Sequence, residues 1–297
     1  MLLMHLSAVS AIFGTRHPSA QSVVTATFSM MSSSSSLTTK SSSILHQTFD
    51  LLRSSSSNIL ILDGGTGEEL FRRGVPDDRK IWSAKALVEK QYHGILKDVH
   101  QSFLQAGSRA ISTNSYGVVP GVGFSKEDIR RYVRIAGDIA RESVSSHNEF
   151  SPSSLVFGSL GPLVESYRAD LIQSHAEGVE NYKIILKALE PSVDAFLCET
   201  MSCVDETLQV VDAISELQQE AEDNDDESST TKPLLVSYSL DSKGCFRDGK
   251  PVVPGLKRII KAAQDKKVKR KYIHLNRRRC HDTGCIDMNE LRWKENG

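Results

Sequence analysis

Residues 193–219 read VDAFLCETMSCVDETLQVVDAISELQQ, and this stretch decides the fold. An apolar run, 193–198, ends on Glu199 and Thr200, and a segment with helical periodicity begins at Val204. A short run that is apolar on both faces suits a strand buried on both sides in a parallel sheet, and the helix after it covers one of those faces. Apolar runs at 59–62, 110–113, 155–158, 234–238 and 271–275 repeat the unit, with a helical segment between each pair. The longest predicted helix, 84–106, lines up Leu87, Val88, Tyr92, Ile95, Leu96, Val99 and Phe103, with Ser83 as N-cap and Gly107 as stop. Ser125 is read as the cap of the next helix, and further helices are predicted at 171–189, 204–219 and 254–264. Repeated strand–helix units of this kind join through right-handed crossovers, so the fold class is α/β with a parallel sheet.

Composition narrows the function classes. The chain has 297 residues, 39% of them hydrophobic and 25% charged, with a formal net charge of −1. No apolar stretch approaches the roughly 18 to 20 residues of a membrane-spanning helix. The near-neutral balance argues against nucleic acid as a partner. Five cysteines in a chain of this length are not the dense framework of a small secreted domain and point to a reducing compartment, cytoplasmic or organellar. Residues 1–57 carry the serine runs 32–36, 41–43 and 54–57 and one acid, Asp50; they are expected to be a disordered leader. This stretch reads equally as an organellar transit peptide or as an over-extended start ahead of Met30 or Met31. The acidic run 220–227 is expected to be a solvated loop, and the eleven Lys and Arg residues of 257–279 mostly a solvated helix face.

Candidate functional residues fall just past the strand C-termini. Asp63, Gly64, Gly65 and Thr66 follow the first run, Asn114, Ser115 and Tyr116 the second, Ser159, Gly161 and Pro162 the third, and Glu199 and Thr200 the fourth. In a barrel or an open α/β sheet those ends form the ligand-binding face. A carboxylate beside a buried run needs a partner, and a substrate ammonium is one. The glycines of DGGTGEEL, 63–70, do not complete a nucleotide-binding pattern, because Leu70 stands at the third glycine position and no Gly-Lys-Ser/Thr follows. What remains is a tight turn able to hold a carboxylate, with a capping box expected between Thr66 and Glu69. An anion site next to acidic side chains suits an amino-acid zwitterion.

The segments LDGGTGEELFRRG (62–74), AGSRAISTNSYGVVPG (106–121), GSLGPLVESYRADL (158–171), VDAFLCETMSCVDE (193–206) and VSYSLDSKGCFRDGKPV (236–252) resemble the homocysteine S-methyltransferase family in order and spacing. The resemblance implies a (β/α)8 TIM barrel, here incomplete at about six βα units, with residues 58–276 as a homocysteine-binding domain. It implies methyl transfer from a sulfonium donor, S-methylmethionine or S-adenosylmethionine, to homocysteine to give methionine. It places Asp63 and Glu199 on the substrate ammonium, Gly64 and Gly65 on its carboxylate, and Asn114 in the same pocket. It also implies zinc held by three cysteines, since a metal-bound thiol is a thiolate and a better nucleophile. Here the sequence departs from the family. The first of those cysteines follows an asparagine, whereas Asn276 is followed by Arg277, and the Gly-Gly-Cys-Cys segment that supplies the other two has no counterpart. The atypical tail, 277–297, offers only Cys280, His281 and Cys285, at a Cys-x4-Cys spacing common to many unrelated sequences. Transfer is therefore expected to be impaired, an incomplete barrel is expected to self-associate through its open edge, and the alternative is a non-catalytic homocysteine-binding remnant.

Overall fold

The computed structural model describes residues 27–30, 60–148, 154–224, 232–266, 268 and 271–276. Five strands, β2 (Ala110–Ser112), β3 (Leu155–Leu160), β4 (Ala195–Met201), β5 (Leu234–Ser239) and β6 (Lys271–Asn276), lie parallel and in chain order across one sheet. Between them run helices α4 (Lys126–Asn148), α5 (His175–Leu189), α6 (Val204–Asp223) and α7 (Val252–Asp265), preceded by α1 (Thr66–Arg72), α2 (Lys85–Val88) and α3 (His93–Gln105). This is the α/β class expected. The first apolar run contributes less than a full strand: Leu62 forms a parallel bridge to Ala110, and Asp63 N–H donates to the Ala110 carbonyl at 3.0 Å. Among the described residues no helix is long and apolar enough to cross a membrane.

Strand alternation sorts the core into two clusters. Ile111, Val156, Phe196, Cys198, Val236 and Tyr238 join the large cluster formed with the helices. Leu62, Ala110, Leu155, Phe157, Ala195, Leu197 and Leu235, on the alternate positions, form a second cluster on the other, inner face. Both faces are dry, which is why these runs read as continuously apolar. The inner register continues past this cluster to Ser112, Ser159 and Glu199, so polar groups crown the apolar floor at the strand C-termini.

Several local expectations are corrected. Thr27–Met30, within the expected leader, forms β1, antiparallel to β6 with Phe28 opposite Ile273. The alternating Thr-Phe-Ser-Met sequence suits a strand, and an edge strand such as β6 offers unpaired backbone groups to any segment that can reach it. The sheet therefore runs from β1 at one end to β2 at the other; the rest of 1–57 lies outside the described residues. The helix expected at 84–106 is broken at Glu89, whose backbone is extended (ψ 106°), and resumes as α3. His93 Nε2 lies 3.0 Å from the Leu87 carbonyl, which the break leaves without a helical partner. Thr66 is already inside α1 and Gly65 is its N-cap, so the capping box does not form; Glu69 instead pairs one turn on with Arg73 at 2.9 Å. Ser125 caps α4 as expected, its Oγ accepting Asp128 N–H at 3.1 Å and its N–H donating to Asp128 Oδ2 at 3.2 Å. Of the acidic run, 220–223 is helical because Glu220 meets Lys183 and Lys187 of α5 at 2.5 and 2.8 Å.

Candidate active site

Asp63 and Glu199 come together at the strand ends. Asp63 is buried, and its carboxylate accepts the Ser112 backbone N–H at 2.7 Å and the Ser112 hydroxyl at 3.1 Å. Burial pushes this carboxyl up to about 7; the Ser112 N–H pulls the other way, and the nearby charge of Glu199 raises it further. Two carboxylates close enough to repel each other, one of them desolvated, form a site that a cation relieves.

Glu199 is half-buried and takes a hydrogen bond from the Ser159 hydroxyl on the neighbouring strand. The following residue, Thr200, has a left-handed backbone (φ 62°), and the register between β4 and β5 shifts between Cys198 and Met201. This bulge lets Glu199 hold the inner register while Met201 returns to the helix-side core.

A relay of hydroxyls supports the pair from below. Ser159 N–H donates to Thr113 Oγ1 at 2.9 Å, Thr113 Oγ1 lies 2.7 Å from Ser115 Oγ, and Ser115 Oγ donates to the Ser159 carbonyl at 2.7 Å. These contacts lock the ends of β2 and β3 together, so the Ser159 hydroxyl meets Glu199 from a fixed position. Asn114 is buried, and its side-chain amide donates to the Ser83 carbonyl at 2.8 Å, tying down the helical turn at Trp82–Ala84 just before α2. Tyr116 places its hydroxyl 2.6 Å from Ser166 Oγ, and burial pushes it above the usual phenol range.

The glycines admit close approaches. A Cβ on Gly64 would lie 2.9 Å from the Phe103 ring, and one on Gly161 would lie 2.7 Å from the Tyr116 carbonyl. Beyond Gly161, Leu163 N–H donates at 3.0 Å to Glu206 Oε1 in the first turn of α6. Glu206 is buried and also receives the Tyr182 hydroxyl at 3.3 Å, and burial raises its carboxyl.

Asp63 and Glu199 are near enough for their charges to interact, Gly64 and Gly65 follow Asp63 directly in the turn before α1, and Asn114 donates to the Ser83 carbonyl. Ser159, a candidate past the third strand, meets Glu199, whereas Ser112 and Glu206 are not among the candidates read from the sequence. The signal for Ser112 is a serine on the inner register of an otherwise apolar strand; Glu206 has none beyond its place in a helix first turn.

Zinc does not fit the described residues, among which no three His, Cys, Asp or Glu side chains gather as a ligand set. Cys198 and Cys203 are both buried, and burial pushes both thiols up, away from the thiolate a metal binds. Cys280, His281 and Cys285 lie outside the described residues.

The family model described as Homocysteine S-methyltransferase matches residues 60–269, which include every residue of this site. The chain belongs to the homocysteine S-methyltransferase family. The family's Escherichia coli (strain K12) homocysteine S-methyltransferase is 31% identical over 177 residues, 54% of each chain. Homocysteine S-methyltransferase YbgG of Bacillus subtilis is 29% identical over 175 residues, 53% of this chain and 55% of that protein. The chain spans about half the length of these curated relatives. The crystal structure of the homocysteine methyltransferase MmuM from Escherichia coli, metallated form, superposes with a TM-score of 0.59 at 23% identity, covering 74% of each chain, and so shares the fold.

Proposed function

We propose that this chain binds homocysteine by its amino-acid end and presents its thiol to a sulfonium methyl donor, within a wall of the (β/α)8 type of which about six units are built here. The observation that carries the proposal is the Asp63–Glu199 pair, a buried carboxyl raised to about 7 beside a second acid on the inner register of the sheet. An α-ammonium between them neutralises the repulsion and supplies the donors that the two carboxylates accept. The turn at Gly64 and Gly65, free of side chains, faces the substrate carboxylate. Fixing both charged ends sets the direction in which the thiol-bearing arm extends, and this positioning is the share of catalysis these residues contribute.

A second reading, homocysteine binding without transfer, rests on the sequence at the end of β6, where Asn276 is followed by Arg277 and not by a cysteine. One experiment tests what both readings share. Calorimetric titration of the full chain should give saturable binding of L-homocysteine and none of N-acetyl-L-homocysteine, which keeps the thiol and carboxylate but has no ammonium. Equal binding of the two would remove the ammonium role.

A further inference from the structure

The loop after β5 carries a guanidinium that the ammonium site does not use. Leu240 pairs with Phe246 as an antiparallel bridge, so the chain doubles back and sets Arg247 opposite Ser239. Phe246 is fully buried, edge-on to Tyr238 with ring centroids 4.8 Å apart, and anchors the return. Asp241 closes the turn by accepting the backbone N–H groups of Lys243 and Cys245 at 2.9 and 2.8 Å.

Arg247 is held at three points. Its backbone N–H donates to the Ser202 carbonyl at 2.9 Å, three residues beyond Glu199. Its Nη2 donates to Ser239 Oγ at 3.3 Å. Its guanidinium stacks on the Tyr167 ring at 5.1 Å from the centroid. Ser239 lies two residues beyond Ser237 and four beyond Leu235, on the inner register that also carries Glu199. Tyr167 is exposed and adopts a left-handed backbone (φ 67°), a conformation unfavourable for an aromatic residue unless its surroundings fix it.

What this guanidinium lacks is an anion. Asp248 pairs with Lys250 at 2.9 Å, Glu165 and Asp170 flank Arg168 at 3.8 and 2.7 Å, and Glu199 takes the Ser159 hydroxyl. Among the described residues Arg247 has no carboxylate partner; it is exposed, and its contact with Ser239 ties it to the strand register that carries Glu199. A pre-positioned Arg with spare donors in a fixed plane matches a carboxylate.

Resting on the homocysteine reading above, we propose that Arg247, braced by Tyr167 and Ser239, binds the α-carboxylate of an amino-acid ligand at the mouth of the site. The carboxylate is that of homocysteine, shared with the turn at Gly64 and Gly65, or that of the amino-acid-type sulfonium that donates the methyl group, and the two sources are separable. The test is calorimetric titration of the full chain, wild type, Arg247→Ala, Arg247→Lys and Glu199→Gln, with L-homocysteine, S-methyl-L-methionine and the carboxamide of each.

The wild type should prefer one acid over its amide, and the ligand showing that preference identifies the source. Arg247→Ala should weaken that acid about ten- to a hundredfold, leave its amide unchanged and so erase the preference, while Arg247→Lys falls between. A loop clip of purely structural role would weaken acid and amide alike, and that result overturns the proposal. Weakening by Glu199→Gln with no effect of Arg247→Ala also overturns it and leaves the homocysteine reading standing. Absence of binding by the wild type removes both.

Discussion

Ser112 donates both its backbone N–H and its hydroxyl to the carboxylate of Asp63, at 2.7 and 3.1 Å. Two such donors ordinarily hold a carboxyl well below 4, yet burial outweighs them and leaves Asp63 at about 7. The side chain is therefore gripped in place and still able to change charge near neutrality. Its geometry is set by the strand, and its protonation is set by whatever enters the pocket.

Asp63 is protonated at pH 6 and ionised at pH 8, and only the ionised form attracts an ammonium, so homocysteine affinity should rise about tenfold across that interval. The sign for folding is the reverse. A carboxyl raised above its unfolded value of 3.8 stabilises the empty protein at acidic pH, and that contribution is lost as pH rises through about 7. Calorimetry from pH 6 to 8 should show the rise in affinity, and Asp63→Asn should flatten it. A wild-type profile that is already flat contradicts the assignment.

His100 of α3 is completely buried, and neither ring nitrogen has a hydrogen-bond partner among the described residues. Burial pushes its pKa down from 6.5 to about 4. Between those values the unfolded chain binds more protons than the folded one, so stability falls as pH falls from about 7 towards 4. From pH 7.5 to pH 5 this group should cost roughly 2 kcal/mol. Urea unfolding of wild type and His100→Leu at the two pH values isolates it: the variant should lose less stability on acidification, and equal losses would contradict the prediction.

Glu206 joins α6 to the loop after β3 through Leu163 N–H at 3.0 Å. Glu206→Leu removes the acceptor from a buried N–H and should cost about 1 to 3 kcal/mol in denaturant unfolding, whereas Glu206→Gln keeps an acceptor and should cost less. Equal losses from both variants would show that the charge, not the hydrogen bond, stabilises the loop.

Much of the fold was legible because each parallel strand is a compact apolar run and each helix has a clear period. The runs at 155–158 and 193–198 sit within β3 and at β4, and α5, α6 and α7 begin or end within a few residues of the predicted bounds. What failed is not carried by the apolar pattern. The break at Glu89 is not written in the apolar periodicity of 84–106, which continues through it. Glu220–Asp223 reads as loop until Lys183 and Lys187, on another helix, supply its counter-charge.

The same division holds in the site. Asp63 and Glu199 stand out because a carboxylate at the end of an apolar strand has few structural reasons to be there. Ser112 does not, because a serine inside an apolar run is unremarkable until the sheet puts it beside Asp63; Ser159 is legible as a strand-end residue, but its partner Glu199 follows only from the pairing of β3 with β4. Arg247 is more hidden still: its position depends on the Leu240–Phe246 bridge, and one Arg among many Lys and Arg residues carries no signal of its own.

The most direct test of the central claim is titration of the full chain with L-homocysteine, comparing wild type with Glu199→Gln, which keeps the shape and the Ser159 contact but removes one negative charge. Wild type should bind at a single site, and the variant should bind about ten- to a hundredfold more weakly with unchanged thermal stability, the usual loss for a charge-assisted hydrogen bond. An unchanged dissociation constant in Glu199→Gln, or no heat of binding from the wild type, would contradict an ammonium site built from Asp63 and Glu199.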